Sequence, residues 1–259
     1  MRTFFPLAFI DSPKLLRLGV YGSAFTLLFC LFTSTILAQN TNSILEVSKD
    51  ANHSEILEKQ TSYRPLILPS AFVTYGLIGL NNEKFRGLDL SIRDELRYVE
   101  RKVHLDDYLV FSPLVAVYGL NLLGKKGVHD VRELSKITGY AIVITGVSVA
   151  SIKLLSGIER PDGSDFTSFP SGHTATAFMF AEILYQEYKD ESILYGILGY
   201  TAAATTGYLR VYNDKHWFSD VVAGAGFGIL CTKLSYLLNE KIHSRTVSRN
   251  KRRDFRYRK

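Results

Sequence analysis

Apolar stretches of helix length recur along the chain near Pro65 to Leu80, Tyr108 to Leu123, Ile137 to Leu155, Thr174 to Tyr185, Ile193 to Leu209 and Val221 to Leu238. Apolar runs of this length, without the alternation of a half-buried strand, predict helices. Their edges carry stop signals, such as Gly124 before Lys125 and Lys126, or Gly157 ahead of Arg160 and Pro161. The expected class is therefore all-α, a bundle of about five or six core helices. Between the first two stretches, residues 81–107 set Leu88, Leu90, Ile92, Leu96, Tyr98 and Val99 among many charges, the pattern of an amphipathic segment at a membrane interface.

The first forty residues add a different signal. Arg2, Lys14 and Arg17 precede an apolar run from Leu18 to Leu37, which ends in Ala38 before Gln39. This reads as a secretory signal cleaved after Ala38, with an uncleaved first transmembrane helix as the alternative. The chain then divides into the signal (1–38), an N-terminal periplasmic or interfacial segment (39–105), a helical domain (106–239) and a basic tail (240–259). No linker or internal repeat splits it further.

With 46% hydrophobic and 22% charged residues, composition leaves both a membrane bundle and a soluble helical enzyme open. The net charge of +6 is concentrated in the tail, where Lys241, Arg245, Arg249, Lys251, Arg252, Arg253, Arg256, Arg258 and Lys259 face few acids. Such a tail reads as a cytoplasmic anchor on anionic lipid or as a solvated terminus, and no nucleic-acid reading module accompanies it. With the tail inside, the loops at 156–172 and 210–217 fall outside. Cys30 and Cys231 have no metal or redox spacing, so neither a disulfide framework nor a zinc site is implied.

Three short segments at the ends of the apolar stretches concentrate the residue types that phosphate chemistry uses. The first runs from Lys153 to Arg160-Pro161. Arg160 can fork onto a phosphate and Lys153 can act as a point charge, although two such cations alone also suit a helix end facing water. Asp162 and Asp165 in the following loop either orient Arg160 or are solvated turn residues. The second segment is Pro170-Ser171-Gly172-His173. Ser171 suits an N-cap, Gly172 admits close backbone approach, and a helix N-terminus offers N–H groups to an anion. His173 there can donate a proton to a departing alkoxide, or be a polar surface residue. The third runs from Arg210 through His216 to Asp220, an i, i+4 pair one turn apart if the helix begins near His216. Asp220 can then fix the imidazole tautomer and leave the other ring nitrogen free to attack phosphorus. His53, His104, His129 and His243 have no partner at a catalytic spacing and read as solvated loop or tail residues.

Taken together, Lys-x6-Arg-Pro, Pro-Ser-Gly-His and Arg-x5-His-x3-Asp in this order resemble the type 2 phosphatidic acid phosphatase superfamily. That superfamily includes lipid phosphate phosphatases, bacterial non-specific acid phosphatases and vanadium-dependent haloperoxidases. The resemblance spans roughly Ile137 to Leu238, and departs from the family pattern at Leu209, where a serine usually precedes the arginine. It implies a metal-independent phosphatase with His216 as nucleophile, Asp220 as its orienting partner and His173 as general acid and base. It further implies that Lys153, Arg160, Ser171, Gly172 and Arg210 hold the phosphate, with no cofactor and no metal. The expected substrate is a lipid phosphomonoester or pyrophosphate, at a site facing the periplasm from a bacterial inner membrane. Phosphorylated lipid and membrane lipids are the implied partners, without nucleic acid or an obligate protein partner. A soluble periplasmic acid phosphatase, a vanadium haloperoxidase and, in another class, a helical transporter or structural membrane protein stand as alternatives.

Overall fold

The computed structural model describes residues 64–80, 82–96 and 103–257, with side chains to residue 243. The expected signal at 1–38 and residues 39–63 of the following segment lie outside the described residues. A single 3-10 turn, Arg64–Leu66, leads into α1 (Ile67–Gly79), α2 (Glu83–Leu96), the one-turn α3 (Asp106–Leu109), α4 (Ser112–Leu122), α5 (Val131–Ser156), α6 (Gly172–Tyr188), α7 (Ile193–Tyr212) and α8 (Phe218–Tyr257). Among the described residues there is no strand, and the fold they form is all-helical. Each expected apolar stretch is a helix. α8 runs on without a break past residue 239, where the sequence suggested the tail would begin.

α6 is the central helix. It packs against α7 and α8 over its length and also meets α4 and α5, while α1 and α5 both lie along α8. Thirteen of its residues are buried, which accounts for its lack of a polar face. One core joins α6, α7 and α8 through Phe178, Ala181, Ala203, Val221 and Ala225; a second joins α4, α5 and α6 through Val117, Leu134, Met179 and Ile183. Burying such aliphatic and aromatic side chains contributes about 1.5–3 kcal/mol each. Glu182, an unexpected charge in so apolar a helix, is neutralised inside the bundle by Lys233 at 2.7 Å, with Gln186 and the Tyr200 hydroxyl completing its hydrogen bonds.

Glycines set how closely α8 approaches α6. A Cβ at position 224 would lie 2.6 Å from the Ser171 carbonyl oxygen, and one at 228 would collide with the Ala175 carbonyl. This contact brings the first turn of α8 against the first turn of α6.

α5 and α8 are long and apolar enough to cross a membrane, the former largely exposed and the latter largely buried within the bundle. α5 presents Ile142, Val143, Val147, Leu154 and Leu155 on the surface, α4 presents Val115, Leu122 and Leu123, and α7 presents Leu194 and Leu198. Apolar exposure on this scale requires an apolar covering.

Candidate active site

The three motif segments meet at the ends of α5, α6 and α7 and the start of α8. α5 begins on an Asp130 cap and ends at Gly157, which adopts a left-handed conformation (φ 57°) that favours glycine and turns the chain into the loop carrying Arg160. Ser171 caps α6, accepting from the Thr174 N–H, so the free N–H groups of the first turn open beside Gly172 and His173. The first turn of α8 is set by Asp220. Its Oδ2 accepts from the Trp217 N–H at 2.9 Å and from the Ser168 hydroxyl, and its backbone carbonyl accepts from the Ser171 N–H at 3.0 Å. Asp220 therefore joins the second motif to the third.

His216 lies two residues before α8 rather than on it. The loop from Asn213 to Trp217 turns through Asp214 at φ 59°, and the Lys215 and His216 N–H groups reach back to the Arg210 carbonyl. The tight turn still places Nδ1 of His216 3.4 Å from Oδ2 of Asp220, within ion-pair range without the helical register, while Nδ1 makes no hydrogen bond among the described residues. The imidazole is 2% exposed. Burial holds its pKa down at about 4, with Lys153 and Arg210 adding to the fall and Asp220 opposing it. The ring is neutral, and so nucleophilic, throughout the physiological range.

The cations converge on the same region. The Lys153 ammonium is half-buried, donates to the Thr167 and Ser168 carbonyls, and has its Cε against the position a Gly172 side chain would fill. Its electrostatic environment includes Arg160, Arg210 and Asp220. Arg160 is oriented by Asp165, whose Oδ1 accepts from Nε at 3.0 Å. Asp162 instead pairs with Lys215 at 2.7 Å, and its carboxyl is held down at about 2: burial opposes that fall, and the hydrogen bond from Lys215 leads the groups that produce it. Neither aspartate is the freely solvated turn residue that the bland sequence reading allowed. Arg210 is buried; its NH1 is taken by Asp106 at 2.8 Å, while its Nε has no hydrogen-bond partner among the described residues. A buried guanidinium N–H left without an acceptor is what a phosphate oxygen satisfies.

Two residues of this region escaped sequence reasoning. Asp106 and Asp107 on α3 reach separate site residues, Asp106 binding Arg210 and Asn213, and Asp107 lying 3.2 Å from Nε2 of His173. Asn213 anchors α3 by exchanging hydrogen bonds with the Val103 backbone. Only the consecutive acids on a short turn flagged them, a signal too common to single out. His173 itself has its pKa lowered by burial first and by Arg210 second, with Asp107 and Asp106 pulling the other way. Away from the site, His129 is not solvated as expected, because its backbone N–H and its ring both meet buried Glu187. His104 and His243 are largely exposed, and His53 lies outside the described residues.

One cavity adjoins the motif residues. A cleft of about 350 Å³ between α4, α5 and α6 is lined by apolar and small residues, with half-exposed Phe111 and Ile142 at one part and Val149 and Gly172 beside Lys153 at another. A cavity of about 640 Å³ lies near the opposite end of α6, among His129, Lys189, Lys233 and His243, and holds none of the motif residues.

Residues 136–244 match the PAP2 superfamily. Over 139 residues the chain is 37% identical to a lipid A 1-phosphatase of Porphyromonas gingivalis, covering 53% of this chain but only 31% of that protein. A lipid A 1-phosphatase of Helicobacter pylori is 26% identical over 137 residues, 50% of this chain and 68% of that one. Among solved structures, LpxE of Aquifex aeolicus is 27% identical, covers 57% of this chain and 94% of its own, and superposes with a TM-score of 0.46. A transmembrane PAP2-type phosphatidylglycerolphosphate phosphatase from Bacillus subtilis is 21% identical over 70% of this chain and 98% of its own, with a TM-score of 0.48.

Proposed function

We propose that this protein is a membrane phosphatase that removes phosphate from a lipid through a phosphohistidine. The observation that carries the reading is the meeting of a buried, neutral His216 with three cations, one of which keeps a buried N–H unpartnered.

In the proposed reaction, a ring nitrogen of His216 attacks phosphorus as the ester P–O bond breaks, and protonated His173 gives its proton to the leaving alkoxide. Water then attacks the phosphohistidine, passing a proton to His173, and the N–P bond breaks to release phosphate. Asp220 stabilises the imidazolium character that develops on His216. Lys153, Arg160, Arg210, the Ser171 hydroxyl and the N–H groups at Gly172 bear the charge on the equatorial oxygens, which is the larger part of catalysis in phosphoryl transfer. The serine that usually precedes the arginine is replaced by buried Leu209, so that hydroxyl contributes nothing here.

Support for a lipid substrate comes from the apolar cleft, which ends beside Lys153 and can seat part of an acyl chain while the phosphate occupies the polar end. The two curated relatives act on lipid A, which makes phosphorylated glycolipid the first substrate to try. α5 and α8 would cross the bilayer, with the site on the periplasmic side and the basic end of α8 inside.

The test is phosphate release by detergent-solubilised protein from lipid A, phosphatidic acid, phosphatidylglycerol phosphate, undecaprenyl pyrophosphate and p-nitrophenyl phosphate. Activity is expected to persist in EDTA and to vanish in His216→Ala. Absence of release from every one of these by the wild type would sink the reading.

A further inference from the structure

The site rests on two loops, one following Arg160 and one from Asn213 to Trp217, and both are held by a residue outside the PAP2 stretch. Arg93 lies on α2, in the amphipathic segment. Its guanidinium grips Asp214 with Nε at 2.7 Å and NH2 at 3.1 Å, and NH2 also donates to the Pro161 carbonyl. The same group lies over the indole of Trp217, 5.4 Å from its centroid, with Arg86 over that ring at 5.1 Å. Trp217 in turn donates from Nε1 to the Glu159 carbonyl at 2.8 Å. One side chain thus touches the residue after Arg160 and the residues on both sides of the Lys215–His216 pair.

We propose that Arg93 is a positioning residue for the phosphatase reaction, locking the Arg160 loop and the His216 loop into one register. It rests on the function proposed above. Asp214 holds an unusual left-handed backbone at the turn that aims His216, and the bidentate fork fixes that residue's side chain. The Pro161 carbonyl ties the same fork to the loop bearing Arg160. Lysine in this position could supply a charge but not the planar pair of donors. A shift of about 1 Å between nucleophile and phosphate clamp is enough for a loss on the order of 100-fold.

Trp217 is the only tryptophan in the chain, so its fluorescence reports this junction directly. The experiment compares wild type, Arg93→Ala, Asp214→Asn and the double variant on p-nitrophenyl phosphate in one detergent. The expected result is a fall in kcat of about 10- to 100-fold for each single variant, with KM little changed. The double variant should be no worse than either single one, and Trp217 emission should shift in Arg93→Ala. Millimolar ethylguanidinium should restore part of the kcat of Arg93→Ala and none of that of His216→Ala. A kcat within about twofold of wild type, or losses that multiply in the double variant and resist rescue, would overturn the proposal. Should Arg93→Ala fail to fold, Arg93→Lys replaces it, with a smaller loss expected and a wild-type kcat overturning the role. A wild type that releases no phosphate rejects the phosphatase reading itself, whereas an active wild type with an equally active Arg93 variant rejects only this inference.

Discussion

Two consecutive carboxylates decide the protonation state of this site as much as the histidines do. In the proposed reaction His173 must carry its proton at the working pH, yet burial and Arg210 both drive that proton off. Asp107, half-exposed at 3.2 Å from Nε2, pulls the other way by favouring the imidazolium. Removing its charge lowers the His173 pKa further, so less of the residue is protonated at neutral pH. Asp107→Asn is therefore expected to move the alkaline limb of the kcat/KM profile to lower pH and to slow the reaction at pH 7 more than at pH 5. An unmoved alkaline limb would show that Asp107 does not govern the proton donor. His216 sets a different boundary, since a pKa of about 4 keeps it neutral across the same range and removes it as the cause of that limb.

At the scale of the elements, the site exists because two helix N-termini are allowed to touch. The Asp220 carbonyl accepting from the Ser171 N–H demands that α8 pass α6 at backbone distance, and Gly224 permits it. Gly224→Ala would set a methyl 2.6 Å from the Ser171 carbonyl, with backbone rather than a flexible side chain obliged to move. An overpacking cost of about 1–3 kcal/mol is expected, seen as a lower unfolding temperature together with lost phosphate release. Gly139, in mid-α5 with nothing near its missing Cβ, supplies the contrast: Gly139→Ala should stabilise by about 1 kcal/mol. Helices, caps and the triple motif were legible in the sequence because each is written in local spacing. The parts that were not legible, Asp106 on Arg210 and Arg93 on Asp214, are pairings between distant elements, and no periodicity encodes which acid meets which base. α8 begins at Phe218, two residues after His216, because Asp220 accepts from the Trp217 N–H in its first turn, a local cap that the His216–Asp220 spacing does not reveal.

For the molecule as a whole, the proposed function turns on how a lipid phosphate would reach this site. The polar end offers cations and helix N–H groups, while the cleft among α4, α5 and α6 offers an apolar wall that includes small residues. Water-soluble phosphate esters need only the first of these, and a lipid needs both. Gly146 separates the two demands, because it lines the cleft and a Cβ added there meets nothing within 4 Å. Gly146→Leu should therefore fold as the wild type does while filling space that an acyl chain would use. Hydrolysis of a lipid substrate is expected to fall by about 10-fold or more in kcat/KM, the scale on which a pocket rejects a few misplaced methylenes. Hydrolysis of p-nitrophenyl phosphate should stay within about twofold, since Lys153, Arg160, Arg210 and the two histidines are untouched. Equal losses on both substrates would mean that the leucine distorts the phosphate site. An unchanged lipid rate would mean that the chain enters by another face, leaving the exposed apolar surface of α5 as a contact with bulk lipid and the cleft with no part in selecting the substrate.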